Sequence, residues 1–125
     1  MISQRLLLSV CAVTGALAVV AGAFGAHALK PLLSGASMAT WQTAVFYHLT
    51  HALLATTIGL AVSDRWRRRA IICLLVGCLL FSGSLYALAL GGPRWLGPIT
   101  PLGGLCFIFG WLSLALGAWR QPNDE

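Results

Sequence analysis

His48 and His51 lie three residues apart near the centre of an apolar run that contains no Asp, Glu, Lys or Arg. On a helix, that spacing puts both imidazoles on neighbouring positions of one face. Histidine titrates near neutral pH, and ionisable side chains at mid-membrane depth are rare and usually face a bundle interior. Several chemistries suit such a pair. Neutral imidazoles hydrogen-bond Ser, Thr or Tyr across helices, at roughly 0.6–2 kcal/mol each. They can also carry protons or contact a substrate, ligate a metal or haem iron, or serve a quinone site. Side chains able to partner them occur at Tyr47, Ser82, Ser84 and Tyr86. His48 is about seven residues from the outer end of its run and Ser84 about six from the outer end of its own, so these two are expected to meet. Ser82 and Tyr86 share a different face, which puts Tyr86 near Tyr47.

Other chemistries find little support. No carboxylate or cysteine stands beside the histidines, and H-x-x-H alone is a weak metal signal. There is no Ser-His-Asp set, and the only acids, Asp64, Asp124 and Glu125, fall outside the apolar runs. Gly103-Gly104 lacks the lysine and strand context of a phosphate loop. Cys11, Cys73, Cys78 and Cys106 have neither zinc-site nor CxxC spacing and behave as small hydrophobes. His27, at the end of an apolar run, is interfacial. No catalytic residue, metal site or cofactor is expected, and no enzymatic activity.

The elements that hold these residues are four runs, 6–26, 41–62, 70–90 and 99–118, each about 20 residues long and without charge. At 1.5 Å per residue, that length matches the ~30 Å hydrocarbon core of a bilayer. The 125 residues leave room for one domain, and 9% charged residues could not cover a soluble surface. Arg5 and the Ala26-His27-Ala28 string imitate a signal peptide, but the first run is too long for one. The expected fold is an all-α membrane protein: an antiparallel four-helix transmembrane bundle with both termini cytoplasmic.

Orientation follows from charge. Arg5, Arg65, Arg67, Arg68, Arg69 and Arg120 fall on the side of the termini, and only Lys30 and Arg94 on the other. Basic residues mark the cytoplasmic side, and the short loops suit that rule. The net charge of +5 is therefore an anchor to anionic headgroups at Arg65, Arg67, Arg68 and Arg69, worth roughly 1 kcal/mol per residue, and not a nucleic-acid surface. Trp41 and Trp95 are expected at the outer interface, and Trp66 and Trp119 at the inner one; Trp111 alone falls within a run. Loops are expected at 27–40, 63–69 and 91–98, with Thr100 capping the last helix and Pro101 in its first position.

Small residues recur at heptad spacing and let backbones approach where lipid supplies no hydrophobic drive. The rows are Gly15 and Gly22 beside Cys11, Ala18 and Gly25; then His48, Ala55 and Val62 beside Val45, Ala52 and Gly59. In the third run they are Gly77, Ser84 and Gly91 beside Cys73, Leu80 and Ala87. In the fourth they are Gly103, Gly110 and Gly117 beside Cys106 and Ser113. A 3.5-residue period implies left-handed crossings near +20° and a bundle with no wide pore. The same stripes would serve a homo-oligomer or another membrane partner.

Several strings are specific: Gly22-Ala23-Phe24-Gly25-Ala26-His27, Tyr47 with His51-Ala52, Phe81-Ser82-Gly83-Ser84-Leu85-Tyr86, Gly97-Pro98-Ile99-Thr100-Pro101-Leu102-Gly103-Gly104 and Gly110-Trp111. They resemble the YgdD-like family of small bacterial inner-membrane proteins, a domain-of-unknown-function family. The resemblance spans nearly the whole chain and implies four transmembrane helices in the inner membrane. It implies no activity, substrate or cofactor. In that family's pattern Gln commonly follows the Tyr, where this chain has His48, and His51 matches the family histidine. A site needing both imidazoles is then disfavoured, and a Gln-like hydrogen-bonding role for His48 is favoured. The leading expectation is a structural or accessory membrane component; a small transporter or proton-linked component, or a haem- or quinone-binding protein, are the alternatives.

Overall fold

The computed structural model describes residues 2–120. Asp124 and Glu125, expected on the cytoplasmic side, lie outside the described residues. Four long helices fill the chain: α1 (Gln4–Leu29), α2 (Gly35–Leu60), α3 (Arg65–Ala89) and α4 (Ile99–Arg120), with a 3-10 turn at Arg94–Leu96. Among the described residues there is no strand. The helices α1, α3 and the run from Arg94 to Arg120 are long and apolar enough to cross a membrane. Helix α2 is more polar, because it holds His48, His51 and Gln42 besides five threonines. Thr40, Thr43, Thr50, Thr56 and Thr57 each donate to the carbonyl four residues back, so the hydroxyls are satisfied within the helix.

Caps set the helix starts. Ser3 Oγ accepts from the Leu6 N–H, and Ser34 Oγ from the Ser37 N–H. Asp64 accepts from the N–H groups of Trp66 and Arg67 at 2.8 and 3.0 Å. These bonds extend helices beyond the apolar runs. The expected loop 27–40 shrinks to a turn around 30–34, and α2 begins at Gly35, ahead of the expected 41. The arginines placed in loop 63–69 form the first turns of α3 instead. Thr100 does not cap α4: that helix starts at Ile99, and the Thr100 hydroxyl lies 2.5 Å from Ser84 Oγ. A polar side chain near a helix start bonds whichever partner packing brings within reach.

Neighbouring helices run antiparallel, and glycine sets how closely they approach. On α4, a Cβ at Gly103 would stand 2.2 Å from the Phe81 backbone N. Gly110 abuts Leu74, Gly117 abuts Trp66, and Gly77 of α3 receives Phe107 in return. The positions rise along α4 as they fall along α3, so this is one continuous seam. Between α1 and α2 the order is the same: Gly25 faces Trp41, Gly22 faces Val45, Gly15 faces Ala52, and Leu8 faces Gly59. Helix α2 also packs on α3, while α1 and α4 share no comparable face. The start of α1, the end of α2, the start of α3 and the end of α4 gather at one end, where Gln4 donates to the Gly59 carbonyl and Arg68 to that of Ile2. Two row members miss the seam: Val62 lies past the end of α2 and is exposed, and Gly91 lies in a turn at φ 89°.

Two π-helical turns, Gly25–Leu29 and Cys78–Ser82, interrupt α1 and α3. Such single turns recur at functional sites. At the first, Trp41 fills the space that a side chain at Gly25 would need, and its indole N–H donates to the Ala21 carbonyl at 2.9 Å. Trp41 is therefore buried between helices instead of marking the outer interface. Trp95 and Trp119 are exposed. Trp66 is ringed by the guanidinium groups of Arg65, Arg69 and Arg120, each 5.3 Å from the indole.

Candidate functional site

His51 sits mid-way along α2 and is buried. Its Nδ1 lies 2.8 Å from the Tyr47 carbonyl, and its Nε2 lies 3.2 Å from the Trp111 indole nitrogen. A carbonyl only accepts and an indole N–H only donates. The imidazole is thus neutral, protonated at Nδ1, with both nitrogens engaged. Phe107 stacks on the ring at 3.8 Å, and Tyr47 lies parallel at 5.8 Å. Phe81 closes this cluster against Tyr47 and Phe107. His51 therefore joins α2 to α4 through one side-chain bond and an aromatic stack.

His48 faces the other way. Its Nδ1 lies 2.8 Å from the Tyr86 hydroxyl, and the Thr14 carbonyl of α1 stands beside the same imidazole. In the tautomer that carries its proton on Nε2, Nδ1 is the acceptor and Tyr86 the donor; in the other tautomer the roles reverse. The Nδ1 bond ties α2 to α3, and Thr14 of α1 lines the same cleft. Tyr86 packs against Trp41 at 4.6 Å. Ser82 is fully buried and donates to the Ala44 carbonyl at 2.8 Å. The Cys78 thiol reaches toward the His48 carbonyl at 3.8 Å.

The sequence-predicted set divides into three places. His48 with Tyr86, and Ser82 beside them, belong to the α2–α3 contact. Tyr47 and His51 belong to the aromatic cluster under α4. Ser84 meets neither histidine: it donates to the Phe81 carbonyl at 3.0 Å and pairs with Thr100, tying α3 to α4. The expected His48–Ser84 contact is thus replaced by His48–Tyr86, and Tyr86 lies beside Trp41 instead of Tyr47. The reason is register: Ser82 and Tyr86, four apart, face α2, while Ser84 is turned to α4. Among the packing positions, Gly25, Gly59, Gly77, Gly103, Gly110, Gly117 and Ala55 are buried, while Gly15 and Gly22 are half-buried. Sequence reasoning missed Trp111, Trp41, Thr14 and Phe107 as partners. Trp111 did carry a signal, because an indole N–H within an apolar run needs an acceptor.

The four cysteines are free, with Cys11 and Cys78 buried. At the start of α3, Asp64 bonds Arg67 at 2.8 Å. The Arg67 and Trp66 N–H groups and the Arg67 charge hold the Asp64 carboxyl below its usual range.

The chain matches the family model described as "Protein of unknown function (DUF423)" over residues 21–104. It is similar to a "UPF0382 membrane protein" of Haemophilus influenzae, 37% identical over 93% of this chain and 95% of the relative. A "UPF0382 membrane protein" of Staphylococcus haemolyticus is 44% identical over 79% of this chain and 83% of its own length. The "UPF0382 inner membrane protein YgdD" of Escherichia coli is 36% identical over 94% of this chain and 92% of its own length. No solved structure matches the chain. With this breadth of match and helices apolar enough to cross a bilayer, the chain belongs to the DUF423 family of unknown function and is a multi-pass integral protein of the inner membrane.

Proposed function

We propose that this chain is a non-enzymatic structural or accessory component of the membrane. In this reading all four helices span the bilayer, and both termini and the start of α3 face the cytoplasm. Arg65, Arg67, Arg68 and Arg69 then hold anionic headgroups. The single observation that carries the reading is the fixed tautomer of His51, whose two nitrogens are both used to join α2 and α4. A proton carrier or substrate ligand needs a free nitrogen and an aqueous path, and here the polar groups serve helix contacts.

Cysteine labelling tests both parts. In a background without the native cysteines, single cysteines at 48 and 51 are treated with a water-soluble maleimide from either side of sealed vesicles. No labelling is expected; labelling from the aqueous phase would replace the accessory reading by a transport one. Cysteines at 30 and 65 serve the orientation, with 65 expected to react only from the cytoplasmic side.

A further inference from the structure

A cleft of about 230 Å³ opens between α1 and α3, with Leu17, Leu75 and Leu79 as apolar walls, Gly83 at its edge, and His48 and Tyr86 as its polar part. We infer that this cleft receives the ring of a lipid-soluble prenylated quinol, with the Tyr86 oxygen accepting the bond from the ring hydroxyl. The inference concerns binding alone and stands apart from the reading above.

The mouth fixes the solvent from which a ligand enters. Leu17 and Leu79 are 56% and 73% exposed, and both lie in the central part of their helices. The opening is therefore lateral, toward acyl chains. His48 is at the middle of α2, which runs from Gly35 to Leu60. A phospholipid headgroup is charged and stays at the interface, because carrying charge into hydrocarbon is costly. A neutral ring on a long apolar tail meets no such penalty and reaches this depth.

Size and hydrogen bonding narrow the class. A dry apolar cavity of about 150 Å³ takes a benzene ring, so this one has room for a ring with substituents. It is too small for a polyprenyl tail, which would leave along the lipid-facing leucines. The Thr14 carbonyl beside His48 favours the Nε2 tautomer, in which Nδ1 accepts and Tyr86 donates to it. The Tyr86 oxygen then offers an acceptor lone pair and no second proton. A ligand hydroxyl satisfies that oxygen, and a ligand carbonyl does not. Aromatic edges from His48 and Tyr86 suit a flat ring. At Gly83 an added Cβ would meet nothing within 4 Å, so a side chain there can enter the cleft without displacing the helices.

The test uses the full chain purified in mild detergent, with unfolding temperature as readout. The probes are a decyl-substituted benzoquinol, its oxidised quinone and decanol. Ligand binding to the folded state raises the midpoint in proportion to RT ln(1 + [L]/Kd). The quinol is expected to raise the midpoint of the parent protein, the quinone less, and decanol least. Gly83→Leu is expected to abolish the rise and Tyr86→Phe to reduce it at least tenfold in apparent affinity. Circular dichroism shows whether each variant keeps its helices, and labelled quinol retained after gel filtration reports binding without unfolding. No rise or retention in the parent, an equal rise in Gly83→Leu, equal rises with quinol and quinone, or an equal rise with decanol would each overturn the assignment.

Discussion

Gly103→Ala probes the α3–α4 seam most sharply. The new Cβ would stand 2.2 Å from the Phe81 backbone nitrogen and 2.7 Å from its Cα, where ordinary contact begins at 3.4 Å. Backbone atoms cannot rotate aside, so the helices must part locally by about 1 Å, in the manner of any overpacked interior. A gap of about 0.5–1 Å forfeits roughly a quarter to a half of each dispersion contact, and each contact is worth ~0.1–0.2 kcal/mol. The loss spreads to Phe107 against Gly77 and Leu74 against Gly110, which share the seam. Such overpacking costs about 1–3 kcal/mol. Alanine also regains up to about 1 kcal/mol of helix propensity, which would mask part of this. Gly83→Ala receives the same gain and meets nothing within 4 Å, so the difference between the two variants isolates the clash. Unfolding is followed by circular dichroism during titration of mild-detergent micelles with SDS. Gly83→Ala should match or exceed the parent, and Gly103→Ala should fall about 1–3 kcal/mol below Gly83→Ala, roughly 5- to 150-fold in the unfolding equilibrium. Equal stability of the two would refute the seam and its register.

Three further outcomes follow from the same contacts. Trp111→Phe removes the donor to His51 Nε2 and should cost about 0.6–1.7 kcal/mol in the same titration. Added to His51→Ala it should cost little more, because the pair is already broken. Asp64→Ala removes the cap that serves Trp66 and Arg67 and should cost about 0.5–2 kcal/mol. The folded-state carboxyl is held down first by the Arg67 N–H, so its stabilisation is full above the unfolded pKa of about 3.9 and fades as pH falls below it. Asp64→Asn, which still caps, should show a flatter stability profile between about pH 5 and pH 2. Ser84→Ala and Thr100→Val should each loosen α3 from α4, with a double-mutant cycle giving coupling near 1 kcal/mol and no coupling to His48.

Much of the helix plan was legible because length and apolarity act locally along the chain. Gly103, Gly110 and Gly117 repeat every seven residues, and that stripe is the buried face of α4. The helix ends were less legible. Hydropathy ignores Ser34 and Asp64, whose caps start α2 and α3 outside the apolar runs. The position of Trp41 is hidden for a related reason: an indole suits an interface as well as a buried contact over glycine, and only Gly25 across the helix pair selects the second.

The site shows the division most clearly. Sequence alone determined that His48 and His51 would lie inside the bundle, since a polar side chain facing lipid has no partner. It offered hydroxyls at that depth as partners, which fits Tyr86 at His48 but not His51, which is fixed by the Trp111 indole and the Tyr47 carbonyl. It could not decide pairing. Two histidines three apart on one helix point about 60° apart, and a small change in crossing geometry exchanges their neighbours. Tertiary structure sent His48 to Tyr86, His51 to Trp111 and Tyr47, and Ser84 to Thr100. Hydrogen bonds demand partners within about 3 Å and a matched donor and acceptor, and those quantities exist only once three helices have docked.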